Sequence, residues 1–106
     1  MILIDEAVLD LFRGPGQCEW CSEGCVTREP HHYWIKRGHG GGSRLDHPWN
    51  LVALGGAFDC GCHGAAHEGR SPTRLELLGV AARREGVAAG VIERELYRLL
   101  RAPKGA

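Results

Sequence analysis

Apolar positions along the chain fall into blocks of different period, and the blocks predict the elements. Ile4, Val8, Leu11 and Phe12 recur at helical spacing, with Asp5 and Glu6 in the favourable first turn, so residues 3–13 read as a short helix. Arg13-Gly14-Pro15-Gly16 stops it. Residues 30–35, Pro-His-His-Tyr-Trp-Ile, are rich in aromatic and β-favouring side chains and read as a strand. Residues 36–49 form a long glycine-rich loop. The unbroken apolar run Leu51-Val52-Ala53-Leu54 reads as a second short strand, 55–61 as a turn and 62–68 as a short helix. The last third changes character. Ser71 and Pro72 suit the N-cap and first position of a helix running to Glu85, and Gly86 suits its end. A second helix, about 88–101, carries Ile92, Leu96, Leu99 and Leu100 on one face. Its pairing with the first gives a helical hairpin over 71–102. Gly69 to Ser71 is the one internal boundary, and at this length it joins two parts of a single domain, 1–106.

Composition narrows the function classes. Thirteen basic and thirteen acidic side chains in 106 residues give zero formal charge, which excludes a uniformly basic nucleic-acid binder but not a local basic face. The charges are segregated: residues 1–69 carry five basic and nine acidic side chains, residues 70–106 eight basic and four acidic. No apolar run reaches the roughly 18 residues of a membrane span. Three acids precede the first base, which argues against a secretory signal, so a cytoplasmic location and no membrane partner are expected.

Five cysteines, an odd number, do not suit a fully paired disulfide framework, and thiolates in a reducing compartment more often bind metal. Cys18-x2-Cys21 lets two sulfurs reach one tetrahedral zinc at about 2.3 Å. Cys60 and Cys62 are positioned to supply the other two ligands, with Cys25 competing for the fourth place; its alternative role is a small buried thiol. Such a zinc would staple distant loops and contribute folding free energy directly.

Histidines complete the pattern. His31-His32 lies on the first strand, Asn50 opens the second, and His63-x3-His67 puts two imidazoles on one face of the short helix, within reach of one metal ion. His39 and His47 sit in the loop and are expected to face solvent. A thiol redox reading of Cys18-x2-Cys21 leaves the histidines unexplained.

The stretch from CEWC through PHHYWIKRGHGGGSRLDHPWNLVAL to CHGAAH, residues 18–67, resembles the HNH endonuclease family, phage-type members in particular. The resemblance covers about half the chain and joins an HH pair, a glycine loop, an NLVAL strand and a CH-x3-H helix in order. It implies an α+β fold: a ββα-metal core with a zinc knuckle over 18–68, an N-terminal helix and two C-terminal helices. It implies hydrolysis of DNA phosphodiester bonds, leaving 5′-phosphate and 3′-hydroxyl ends. His31, His63 and His67 would hold one catalytic divalent ion (Mg, Mn, Ni or Zn). His32 would be the general base, suited by an ordinary pKa of about 6.5. Asn50 would fix the hairpin that carries the base. Neighbouring strand residues point to opposite faces, so His31 and His32 share a site only if the strand bends or the ion lies near its end. The structural zinc would take Cys18, Cys21, Cys62 and a fourth ligand. The family has a cysteine directly after the NLVAL strand where this chain has Gly55, and Cys60 is the nearest substitute. Lys36, Arg37 and Arg44 flank the loop and would contact DNA phosphates. A phage DNA-packaging partner is implied by the same likeness. The rival reading is a non-catalytic, zinc-stapled DNA-binding or adaptor module, which has no use for His32.

Overall fold

The computed structural model describes residues 2–36 and 44–101. They form a small α+β domain. Strand β1 (Ile2–Leu3) precedes helix α1 (Glu6–Asp10). Strands β2 (Gly14–Gln17) and β3 (Gly24–His32) follow, then β4 (Arg44–Leu45), a 3-10 turn (Pro48–Asn50) and β5 (Leu51–Gly55). Three helices close the chain: α2 (Cys62–His67), α3 (Arg74–Glu85) and α4 (Ala89–Arg101). The main sheet is antiparallel in the order β2-β3-β5, and β1 pairs parallel with β4. Among these residues no helix is long and apolar enough to cross a membrane.

Strand β5 organises the core. All five of its residues are buried. Leu51 and Ala53 pack with Leu9 and Phe12 of the N-terminal segment, while Val52 and Leu54 join Leu77, Leu78, Ala81, Ile92 and Leu96 of the C-terminal helices. Alternate side chains thus serve two apolar faces, which is why the run reads as continuously hydrophobic. The free edge of β5 is closed by Glu19, whose backbone N–H donates to the Ala53 carbonyl (2.9 Å) and whose carboxylate accepts from the Ala53 N–H (2.8 Å).

Four boundaries differ from those the pattern predicts. The N-terminal helix starts at Glu6 rather than residue 3, because the Asp5 carboxylate caps the Val8 N–H while Ile2–Leu3 pair with β4. The strand predicted at 30–35 spans Gly24–His32 instead. Tyr33 to Ile35 leave the ladder, since the buried Asn50 amide captures both the N–H and the carbonyl of Ile35 at 2.8 Å. A third strand, β2, forms from the Gly-Pro-Gly segment expected only to end a helix; it is set by hairpin pairing with β3 across the turn at 18–23, and local propensity carries no trace of it. Thr73, not Ser71, caps α3, through a reciprocal capping box with Glu76. The helix ends at Gly86 as predicted, in the left-handed conformation (φ 70°) that glycine adopts without strain. His47 is half-buried rather than exposed: its Nδ1 accepts from the Trp49 N–H and caps the 3-10 turn. His39 lies outside the described residues.

Two arginines of the basic last third serve the fold rather than the surface. Arg84 donates to the carbonyls of Leu51 and Pro48 and to Glu19, and Arg74 stacks 3.6 Å over the Trp34 ring while donating to its carbonyl. Both tie the helical hairpin to the segment around β5.

Candidate metal centres and catalytic cleft

The antiparallel pair β3–β5 and helix α2, packed beside β5, bring the chemically distinctive residues together. His31 stands opposite Val52 and His32 opposite Leu51, at the end of β3. His63 and His67 stand at i and i+4 on α2, so both rings project toward that end.

The ligating nitrogens of His31, His63 and His67 lie within 4.8 Å of one another. His31 meets the other two rings edge-on, with centroids 5.1 and 4.8 Å away. His63 Nε2 and His67 Nε2 approach to 3.0 Å. His31 is buried and its Nδ1 has no hydrogen-bond partner. A buried ring nitrogen without a partner is costly, and a metal bond would satisfy it. Burial pushes the His31 pKa down to about 3, helped by the nearby His63, His67, Lys36 and His32, so the ring stays a neutral ligand across ordinary pH. The opposite nitrogen of His63, Nδ1, sits 2.8 Å from Glu29 Oε1. That contact suits a metal-binding imidazole, because a carboxylate holding one N–H aims the other nitrogen's lone pair at the ion. The donor set therefore fits one divalent ion.

Sulfurs of Cys18, Cys21, Cys60 and Cys62 form a second group within 4.8 Å of one another. A tetrahedral zinc with bonds of about 2.3 Å would set its sulfurs about 3.8 Å apart, so the group could hold one with small adjustments. The first pair sits in the turn between β2 and β3, where the Cys18 N–H donates to the Glu23 carbonyl and the Ser22 N–H to the Cys18 carbonyl. The second pair sits in the turn entering α2. Cys25 is buried and outside the group of four. Gly55 explains how Cys60 reaches it: a β-carbon at Gly55 would collide with Cys60 Sγ and come within 2.7 Å of Cys25 Sγ. The glycine where the resemblance leads one to expect cysteine is the space that Cys60 fills. Burial tends to raise the Cys60 pKa, but hydrogen bonds from Cys62, Cys21 and Cys18 outweigh it and bring it down to about 7. An anionic sulfur is thus favoured at that corner.

The histidine group opens into a cleft of about 550 Å³ that also exposes His32, Lys36, Arg44, Arg13 and Glu6. His31 and His32 share this cleft because both stand where β3 ends. Asn50 is fully buried and touches neither metal group; its Nδ2 donates to the carbonyls of Ile35 and Leu45, and its Oδ1 accepts from the Ile35 N–H. It clasps the two ends of the glycine-rich loop. Lys36 is exposed at the rim. Arg44 is engaged by Asp46, at 2.9 Å from Nη2 to Oδ2, and Arg37 lies outside the described residues.

Three acidic residues escaped the sequence reading. Glu29 lies two positions before His31, hence on the same strand face, which is the one signal that could have found it. Asp46 holds His32 Nε2 at 2.7 Å. Burial works to raise its pKa, but hydrogen bonds from Arg44, His32 and the Asp5 N–H dominate and lower it to about 2. Glu19, the cover of the β5 edge, carries no local mark at all. No family model, curated protein or solved structure gives a significant match to this chain, so its functional reading rests on this geometry.

Proposed function

We propose that this chain is an HNH-type, ββα-metal endonuclease that hydrolyses phosphodiester bonds in DNA. The observation that carries the reading is the meeting of three histidine nitrogens within 4.8 Å of one another, beside His32, in one open cleft with a basic rim. His31, His63 and His67 would hold the ion, and Glu29 orients His63. When bound, a divalent ion neutralises charge on the phosphate and eases departure of the 3′-oxygen. His32 takes the proton of the attacking water. Lys36 and Arg13 draw the DNA backbone to the cleft by charge rather than by base identity. Asn50 holds the loop ends that frame the base. The four cysteines hold a structural zinc that joins the β2–β3 turn to the start of α2, and so sets the position of His63. A partner among phage DNA-packaging proteins belongs to the same reading.

The test is cleavage of supercoiled plasmid by the purified chain with a panel of divalent ions. Nicking that EDTA abolishes and added ion restores is expected. Undiminished cutting after rigorous chelation would overturn the metal-dependent reaction. DNA binding without cutting under every ion would leave the adaptor reading in its place.

A further inference from the structure

Among the described residues Asp46 is the one carboxylate that is completely buried. A carboxylate there is stable only if its oxygens are fully hydrogen-bonded. Three donors come from fixed groups. The Asp5 N–H reaches Oδ2 at 2.9 Å, Arg44 Nη2 reaches Oδ2 at 2.9 Å, and Arg44 Nε lies 3.1 and 3.2 Å from the two oxygens. The Asp46 backbone is pinned too, its N–H donating to the Leu3 carbonyl at 2.8 Å. The remaining partner is His32 Nε2, 2.7 Å from Oδ1. An ionised carboxylate only accepts, so at this contact the hydrogen belongs to Nε2.

We propose that Asp46 is a positioning residue for DNA cleavage, fixing His32 in the Nε2–H tautomer so that the ring takes up the water proton at Nδ1. The inference rests on the reading of His32 as the base. In the step, water gives a proton to Nδ1 and its oxygen lone pair forms the new bond to phosphorus. The bond from phosphorus to the 3′-oxygen breaks, and its electron pair leaves with that oxygen, which is then protonated from solvent. The imidazolium that results lies directly against the Asp46 carboxylate. Asp46 and the Asp5 N–H thereby act on the reaction through His32.

The consequence of Asp46→Asn can be derived from the same contacts. The Asp5 N–H and Arg44 Nη2 both donate at the Oδ2 position, so they hold the amide oxygen there. The amide NH2 then faces His32 Nε2, which must accept, and the ring proton moves to Nδ1. The experiment is nitrogen-15 NMR of the histidine rings in the whole chain with zinc present, at a pH where His32 is neutral. The His32 signals are assigned from their loss in His32→Gln. The wild type should show a protonated Nε2 and an unprotonated Nδ1, and Asp46→Asn the reverse, with plasmid cleavage reduced about 10²–10⁴-fold, as for loss of a general base. Metal binding should be unchanged. A protonated Nδ1 in the wild type overturns the proposal, and this spectrum decides it even if Asp46→Asn fails to fold. Full cleavage by a folded Asp46→Asn also overturns it. A wild-type chain with the Nε2–H pattern that cuts no DNA leaves control of the tautomer standing and removes the nuclease reading.

Discussion

Side chains one residue apart in the chain have different surroundings at the end of β3. His31 is buried with an unpartnered nitrogen among two other imidazoles, whereas His32 lies against a buried carboxylate. Ligand and base should therefore separate by mutation. His32→Ala is expected to lower cleavage about 10²–10⁴-fold while calorimetry finds the ion still bound. His63→Ala is expected to weaken ion binding, because it removes both a ligand and the nitrogen oriented by Glu29. The reverse pattern would exchange the two roles. His31 also predicts a pH dependence. Its pKa is about 3 when folded and about 6.5 when unfolded, so between these values the unfolded chain binds a proton that the folded chain refuses. This contribution is complete above pH about 6.5 and is lost as pH falls toward 3. With zinc at the cysteines alone, melting temperature should fall over that window, and more steeply than in His31→Gln. Equal slopes would show that His31 is not held neutral by the fold.

At the scale of elements, two short turns hold the residues around the two candidate metal groups in place. The turn from Gly55 to Cys62 must fold Cys60 back over the end of β5, and the contact at Gly55 leaves no room for a side chain. Gly55→Ala should destabilise the chain by about 1–3 kcal/mol, as overpacking does, and loosen zinc, measured by denaturant unfolding and metal content. Cys60→Ser should cost more stability than Cys25→Ser, since only Cys60 belongs to the group of four. Similar losses would mean that Cys25 shares the ligation. The second turn is the 3-10 segment before β5, where Asn50 replaces missing ladder bonds between Ile35 and Leu45. The amide makes three hydrogen bonds in a dry setting, so the loop ends are held at a fixed separation while the glycine-rich segment spans between them.

For the whole molecule, zero net charge means that the proposed attraction to DNA would be local. The cleft rim offers Lys36 and Arg13 without the commitments of Arg74 and Arg84 to the fold, although Arg13 pairs with both Asp10 (3.2 Å) and Glu6 (3.4 Å). Charge reversal at Lys36 should weaken binding to all duplex sequences about equally and reduce the slope of log K against log salt by roughly 1. Removing the exposed charge Arg83 should leave both unchanged. A sequence-selective loss at Lys36 would point instead to base contacts.

The residues themselves marked the helices, the strand at 51–54 and the candidate ligands. The apolar run 51–54, the spacing of Ile92 and Leu96, Gly86 and the His63-x3-His67 pair are local signals, legible because strand and helix periods place side chains on faces without reference to the rest of the chain. The histidine trio and the four cysteines follow from spacing and resemblance, and the fold brings each set together. Only tertiary structure decided what surrounds them. Strand β2 exists through pairing with β3, Asp46 reaches His32 across the described ends of a loop, and Glu29 meets His63 from 34 residues away. The same holds for Gly55, whose bare α-carbon has meaning only once Cys60 has folded against it. A hydrogen bond or a close contact depends on distance in space, and a sequence specifies that distance only through the whole packed chain.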